Sequence, residues 1–264
     1  MMEAALIAQP RGQRRQVLGY LLSYLVVLAA WQLMSLRLGP TVMPSPLETA
    51  RAALTILSTP VLAQHVPITI FRTVAGVVVS AALAVLLVLG ARYLAPFRVF
   101  FLNAFYPGLR AVPPVSIALL AIVWFSLGTK AVVFVIVVTV LPIYLIALWE
   151  GLKVLDEGLL EMGYAVARNR FAVFRKLAAP MLVPTMFSAT KLGFSVSFKL
   201  ALVGELLAAT EGIGYVMHAA QQEYKTHLVI AWTVIMLAVV VLVEHYVFNL
   251  VERKYLYRWE TTKE

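Results

Sequence analysis

Six long apolar runs, at roughly 17–36, 67–91, 98–126, 131–149, 181–208 and 228–250, leave this chain little freedom in what it can become. A helix that crosses a bilayer needs about 20 apolar residues, because no water is there to satisfy an exposed backbone group. Each run reaches about that length, so the expectation is an all-α integral membrane protein with six transmembrane helices. They form a single membrane domain over 16–258, with short tails at 1–15 and 259–264. Val112-Pro113-Pro114 interrupts the third run, and proline inside a helix removes a donor and clashes with the preceding turn. A kink or break is expected there. Only 13% of the residues are charged, against about 25% in soluble domains. The first run is too long for a cleavable signal peptide and lacks a small-residue cleavage site.

Positive charge fixes the expected orientation. With the N-terminus inside, one face of the membrane receives Arg11, Arg14, Arg15, Arg92, Arg98, Lys153, Arg168, Arg170, Arg175, Lys176, Arg253, Lys254, Arg258 and Lys263. The other face receives only Arg37, Arg51, Lys130 and Lys225. Both termini are therefore expected in the cytoplasm of a bacterial inner membrane. The net charge of +9 is topological and does not imply nucleic acid. On the opposite face, Pro44-Ser45-Pro46 leads into Leu47, Ala50, Ala53, Leu54 and Leu57. That pattern predicts a short amphipathic surface helix, with Ser45 as N-cap and Pro46 at its first position.

The segment between the fourth and fifth runs, Leu155–Pro180, is unlike a polar connection. Leu155, Leu159, Met162 and Val166 recur at helical spacing. After Arg168-Asn169-Arg170, Phe171, Phe174, Leu177 and Ala178 fall on one side, with Arg175 and Lys176 on the other. Two short helices joined by a basic turn are expected, outside the bilayer, as a docking surface for a soluble partner.

Glu161, Ala165, Ala167, Leu177, Ala179 and Pro180 resemble the E-A-A-x3-G-x9-I-x-L-P loop of ABC-importer permeases. Met162 and Gly163 stand where the two alanines are expected, and Ala167 where glycine ends the first helix; Asn169 tolerates a left-handed turn better than alanine. Other features recur in the same order: Val42–Pro46, Phe71–Gly76, Tyr106–Pro114, Trp124–Gly128 and Glu205–Gly214. Together they resemble permeases of the nitrate, taurine and aliphatic-sulfonate group of type I importers. The resemblance implies a homodimeric permease that passes a small, anionic solute inward. It also implies two copies of an ABC ATPase, which bind ATP and magnesium, and a periplasmic or lipid-anchored solute-binding protein. No cofactor is expected in this chain. Glu161, Ala165, Ala167, Arg168, Arg170, Phe171, Phe174, Arg175, Leu177 and Pro180 are the expected ATPase-coupling residues. A vitamin precursor is the alternative cargo.

Within the spans, Ala189, Gly193, Ser197 and Ala201 form a small-residue ridge that lets another helix approach closely. Packing inside one subunit and lining a dimer axis fit it equally. Lys191, Ser195 and Lys199 form a second row. A charge at mid-span costs roughly 2.5–3.5 kcal/mol on insertion scales and calls for a partner or a wet cavity. Lys199 therefore either pairs with Glu205 or Glu244, or lines a path for an anion. Arg110 stands beside the Pro113-Pro114 break and is expected to serve carbonyls freed there. Glu205, Gly212 and Gly214 are expected at an outer gate or helix cap. Arg110, Gly193, Ser197, Lys199, Glu205, Gly212 and Gly214 are thus the candidates for the path or gate.

No phosphate-binding glycine-rich loop is present. Cysteine is absent, and His65, His218, His227 and His245 do not have metal-ligand spacing. An integral-membrane enzyme would need converging carboxylates or histidines at one face, which the sequence does not offer. A channel without an ATPase would leave the amphipathic loop unexplained.

Overall fold

The computed structural model describes residues 10–153, 155, 157–166 and 170–256. Its elements are α1 (Pro10–Leu38), α2 (Pro46–Ser58), α3 (Pro60–Ala91, with a turn at Gln64), α4 (Arg98–Ala111), α5 (Pro114–Phe125), α6 (Thr129–Lys153), α7 (Glu157–Val166), α8 (Phe174–Ala208), α9 (Ile213–Gln222) and α10 (Thr226–Lys254). Every regular element among the described residues is helical. Three helices, α3, α6 and α10, are single unbroken runs long and apolar enough to cross a membrane. Two bent pairs reach that length and apolarity only together: α4 and α5, which meet at 90°, and α8 and α9, which meet at 53°; counted as one span each, they bring the total among the described residues to five. The apolar part of α1, Leu22–Leu38, is shorter, so the first of the six expected spans is not matched by a helix of crossing length among the described residues.

The bend between α4 and α5 falls at Val112-Pro113, where both residues are extended. Proline restricts the residue before it to extended backbone, so two consecutive prolines stop α4 and Pro114 starts α5. By contrast, Pro142 sits inside α6 and Pro184 inside α8 without breaking either helix.

α6 is the axis of the fold. Val132, Val135, Ile136, Val140, Tyr144 and Leu145 are fully buried, and α3 and α8 pack along it. A helix apolar all round is a buried one. The outer helices instead expose Leu, Val and Phe, as lipid requires: Leu86 on α3, Val123 on α5 and Leu237 on α10 are all more than half exposed.

The surface helix forms as expected. Ser45 caps α2: its hydroxyl accepts from the Glu48 N–H at 3.2 Å, and the Glu48 carboxylate accepts from the Ser45 N–H at 2.9 Å. Glu48 completes a capping box. The Ser45 N–H bond to the carboxylate, with the Ser45 hydroxyl beside it, holds the Glu48 carboxyl below the ordinary glutamate range. Thr49 and Ile56 face inward against the start of α10, while Leu47, Leu54 and Leu57 point outward.

Candidate functional site

The described parts of 155–180 are two helical arms that pack as a hairpin and have different origins. α7 is a free-standing helix. The second arm is not a separate helix, as the sequence suggests, but the beginning of a span: Arg170–Val173 runs through a wide turn at Phe174–Ala178 directly into Ala179–Ala208. Pro180 follows directly on that wide turn and does not break the run Phe174–Ala208. The arms touch at Gly163, where a side chain would collide with Leu177 and crowd Val173. Gly163 is therefore the residue that lets the hairpin close.

Phe174 and Leu177 are half-buried against the chain's own core. Among its described side chains, the large apolar ones that the hairpin exposes are Met162 (58% exposed) and Tyr164 (43%). Glu161, Ala165, Arg175 and Lys176 are exposed around them. Sequence reasoning assigned the anchoring role to Phe171 and Phe174 and passed over Met162 and Tyr164. Their exposure on either side of Gly163 is the signal that finds them. Pro180 is half-buried. Ala167, Arg168 and Asn169 lie outside the described residues, as do the side chains of Arg170 and Phe171.

At the far end of the bundle, the described residues build a buried ion network around Arg72 of α3. Arg72 and Glu205 of α8 are both 0% exposed. Arg72 Nη1 donates to Glu205 Oε1 at 2.9 Å and to the Glu211 carbonyl at 2.7 Å. Its Nη2 donates to Glu211 Oε1 at 3.1 Å, and Nε and Nη2 both reach Thr129 Oγ1 of α6 at 3.1 Å. Thr69 Oγ1 stands 2.9 Å from each Glu205 oxygen and accepts from the Ile213 N–H at 2.9 Å. The Gly214 N–H donates to Glu205 Oε2 at 2.9 Å. A buried charge survives when it is paired and its remaining lone pairs are filled, and here both conditions are met.

The network ties α3, α6 and α8 to the loop Ala209–Gly212. Gly212 has φ +106°, and any side chain there would strike the Glu205 carboxylate. Its N–H donates to His65 Nδ1 at 3.0 Å, which fixes Nδ1 as the unprotonated nitrogen. His65 is thus part of the loop's anchorage and not a solvated loop histidine. Glu205 lies against Gly212 and Gly214, but neither glycine caps the C-terminal end of α8: that cap is Ala209, and Gly212 is the N-cap of α9. Sequence reasoning missed Arg72 as the partner, quoting it only within the run Phe71–Gly76. The cost of an intramembrane cation, applied to Lys199 and Arg110, was the signal that marks it too.

This arrangement removes one expectation for Lys199. Glu205 is held by Arg72 on the buried side of α8, and among the described residues no ion pair joins Lys199 to Glu205 or Glu244. Lys199 is exposed. Lys191 differs, reaching Glu252 of α10 at 3.4 Å. The ridge Ala189, Gly193, Ser197 and Ala201 is buried inside the chain. A Cβ on Gly193 would stand 3.2 Å from the Tyr144 hydroxyl, so the ridge packs on α6 of the same chain and not on a dimer axis. Arg110 is exposed and donates to the Tyr106 hydroxyl at 3.1 Å, its guanidinium 5.6 Å from that ring. It serves the preceding turn of α4 and not the carbonyls at the break.

Residues 100–256 match the family described as binding-protein-dependent transport system inner membrane component. The riboflavin transport system permease protein of Chloroflexus aurantiacus is 32% identical over 58% of this chain, and the match spans 56% of that relative's length. The putative aliphatic sulfonates transport permease protein of Escherichia coli is 28% identical over 88% of each chain. The formylaminopyrimidine transport permease protein of Halalkalibacterium halodurans is 28% identical over 76% of this chain and 80% of its own length.

Proposed function

Since the chain belongs to the family of binding-protein-dependent transport system inner membrane components, we propose that it forms the membrane path of an ATP-driven importer for a small anionic solute of the sulfonate class. It is a permease subunit and not an enzyme. Two copies enclose the path. Each docks one ATPase, which supplies the ATP and magnesium chemistry, on the hairpin of α7 and the first turns of α8. The hairpin and both termini face the cytoplasm, and a solute-binding protein delivers cargo at the far face.

The observation that carries this reading is the hairpin itself. It is an exposed, partly apolar projection closed by Gly163 against Leu177 and continuous with α8. Force applied there is transmitted along a rigid helix of 30 residues, Ala179–Ala208, to Glu205 and the far-end network. Its expected contacts are Met162 and Tyr164, ringed by Glu161, Arg175 and Lys176. Apolar anchors within a charged rim are the usual form of a docking hot spot.

The sulfonate class rests on the Escherichia coli relative, whose match covers most of both chains. The riboflavin and formylaminopyrimidine relatives favour a second reading, a neutral vitamin or vitamin precursor. A calorimetric screen of the cognate binding protein against taurine, alkanesulfonates, nitrate, riboflavin and formylaminopyrimidine decides between them. Binding of a sulfonate is expected; exclusive binding of a neutral heterocycle would replace it with the second reading.

A further inference from the structure

Lys199 lies deep in α8. The close approaches of Gly193 to Tyr144 and of Gly204 to Val132 set the register of α8 against antiparallel α6. Interpolated between them, Lys199 stands about level with Val137 and Val138, near the middle of α6. Nine residues separate it from Ala208 and twenty from Ala179, which at 1.5 Å per residue is roughly 13 Å and 30 Å of helix.

A lysine on a span usually escapes by snorkelling to the nearer surface. Here the geometry opposes that. Side chains on a helix lean toward its N-terminus, so the four-carbon stem of Lys199 leans along the 30 Å direction and away from the near end. A structural ion pair does not relieve the charge either. Among the described residues neither Glu205 nor Glu244 pairs with it, whereas Lys191, two turns away, has Glu252.

Ser188, Leu192, Ser195 and Leu206 share the side of α8 that carries Lys199, opposite the buried ridge of Gly193 and Ser197. Ser188 bonds back to the Pro184 carbonyl at 3.1 Å and Ser195 is half-buried, so the exposed Lys199 ammonium is the group on this stripe that acyl chains leave unsolvated and a wet surface suits. We propose that Lys199 is a specificity-determining residue that contacts the anionic group of the solute in transit. This rests on the reading of the chain as an anion permease and names the residue that selects the charge.

Because the chain contains no cysteine, Lys199→Cys places its only thiol at this point. The complex of permease, ATPase and binding protein is reconstituted in liposomes, and the Lys199→Cys variant is treated with 2-sulfonatoethyl or 2-aminoethyl methanethiosulfonate. Leu237→Cys on the lipid-exposed side of α10 and Gln222→Cys at the end of α9 are the references. The thiol of Lys199→Cys is expected to react within about tenfold of that of Gln222→Cys, because thiolate forms only where water reaches. Taurine uptake should fall about ten- to hundredfold in Lys199→Cys, the range of one charge-assisted hydrogen bond. The aminoethyl reagent should restore it, the sulfonatoethyl reagent should not, and Lys199→Arg should retain it.

Reactivity as low as that of Leu237→Cys, or uptake indifferent to the charge at position 199, would overturn the proposal. A wild-type complex that carries nitrate but not taurine, with the same dependence on charge, upholds the role of Lys199 and removes only the sulfonate assignment. A wild-type complex that carries riboflavin and no anion removes both.

Discussion

Arg72 should be the residue whose loss most weakens the far end of the bundle, and its replacement should cost more than that of either carboxylate it holds. In Arg72→Met, Glu205 keeps the Thr69 hydroxyl and the Gly214 N–H but loses the cation that pairs with it among the described residues, while fully buried. Breaking a buried pair from one side costs about 3–5 kcal/mol. Glu205→Gln leaves Arg72 with the Glu211 carboxylate and carbonyl and with Thr129, so the loss is nearer one charge-assisted bond, about 1.5–3 kcal/mol. Glu211 is about half exposed, with 49% side-chain exposure, and removing its charge should cost roughly 0.2–1 kcal/mol. The expected order is Arg72→Met, then Glu205→Gln, then Glu211→Gln. Combining Arg72→Met with Glu205→Gln should recover part of the loss, because no unpaired charge remains. Inactivation half-lives of the detergent-solubilised complex at one temperature give the order, since membrane complexes unfold irreversibly and a rate is the sound measure. Equal half-lives for Arg72→Met and Glu211→Gln, or a double variant weaker than the sum of its singles, would refute the network as the tie.

Gly163→Leu should open the hairpin, lowering ATPase co-purification, and Leu177→Ala should partly rescue it by vacating the space; absence of rescue would show that the arms do not close there. Met162→Asp should detach the ATPase with the permease still inserted, which affinity pull-down measures, and a pull-down as strong as wild type would remove α7 as the docking face. Ser45→Ala should cost about 1 kcal/mol, read as a shorter half-life of the complex. Glu48 has a lowered folded pKa, so its contribution is present above the ordinary glutamate pKa and is lost as pH falls through the lowered value; the difference between wild type and Glu48→Gln should vanish in acid. Single cysteines at Ser45 and Gln222 should label with an impermeant reagent on whole cells and a cysteine at Asn169 should not, by the positive-inside argument.

Much of the fold is legible in the sequence because membrane insertion is a local problem. Each span must satisfy its own backbone, so length and apolarity alone mark it. The break at Pro113-Pro114 and the cap at Ser45 are equally local. What the sequence hides is relational. Arg72 and Glu205 lie 133 positions apart, and nothing in either neighbourhood says that they meet. The ridge at Gly193 announces close packing without naming the partner; Tyr144 supplies it. The second arm of the hairpin looks separate because Arg175 and Lys176 interrupt its apolarity. A helix is indifferent to whether its surface changes from polar to apolar partway, and Pro180, next to the wide turn at Phe174–Ala178, does not stop this one. His65 has no motif, and only the fold brings it to the Gly212 N–H.

The most direct test of the account is uptake of radiolabelled taurine by proteoliposomes holding this chain, with its ATPase and binding protein each supplied or withheld. The account predicts uptake that needs ATP and both partners, and that disappears with Met162→Asp although the permease remains inserted. Uptake by the chain alone, driven only by the taurine gradient, would contradict it.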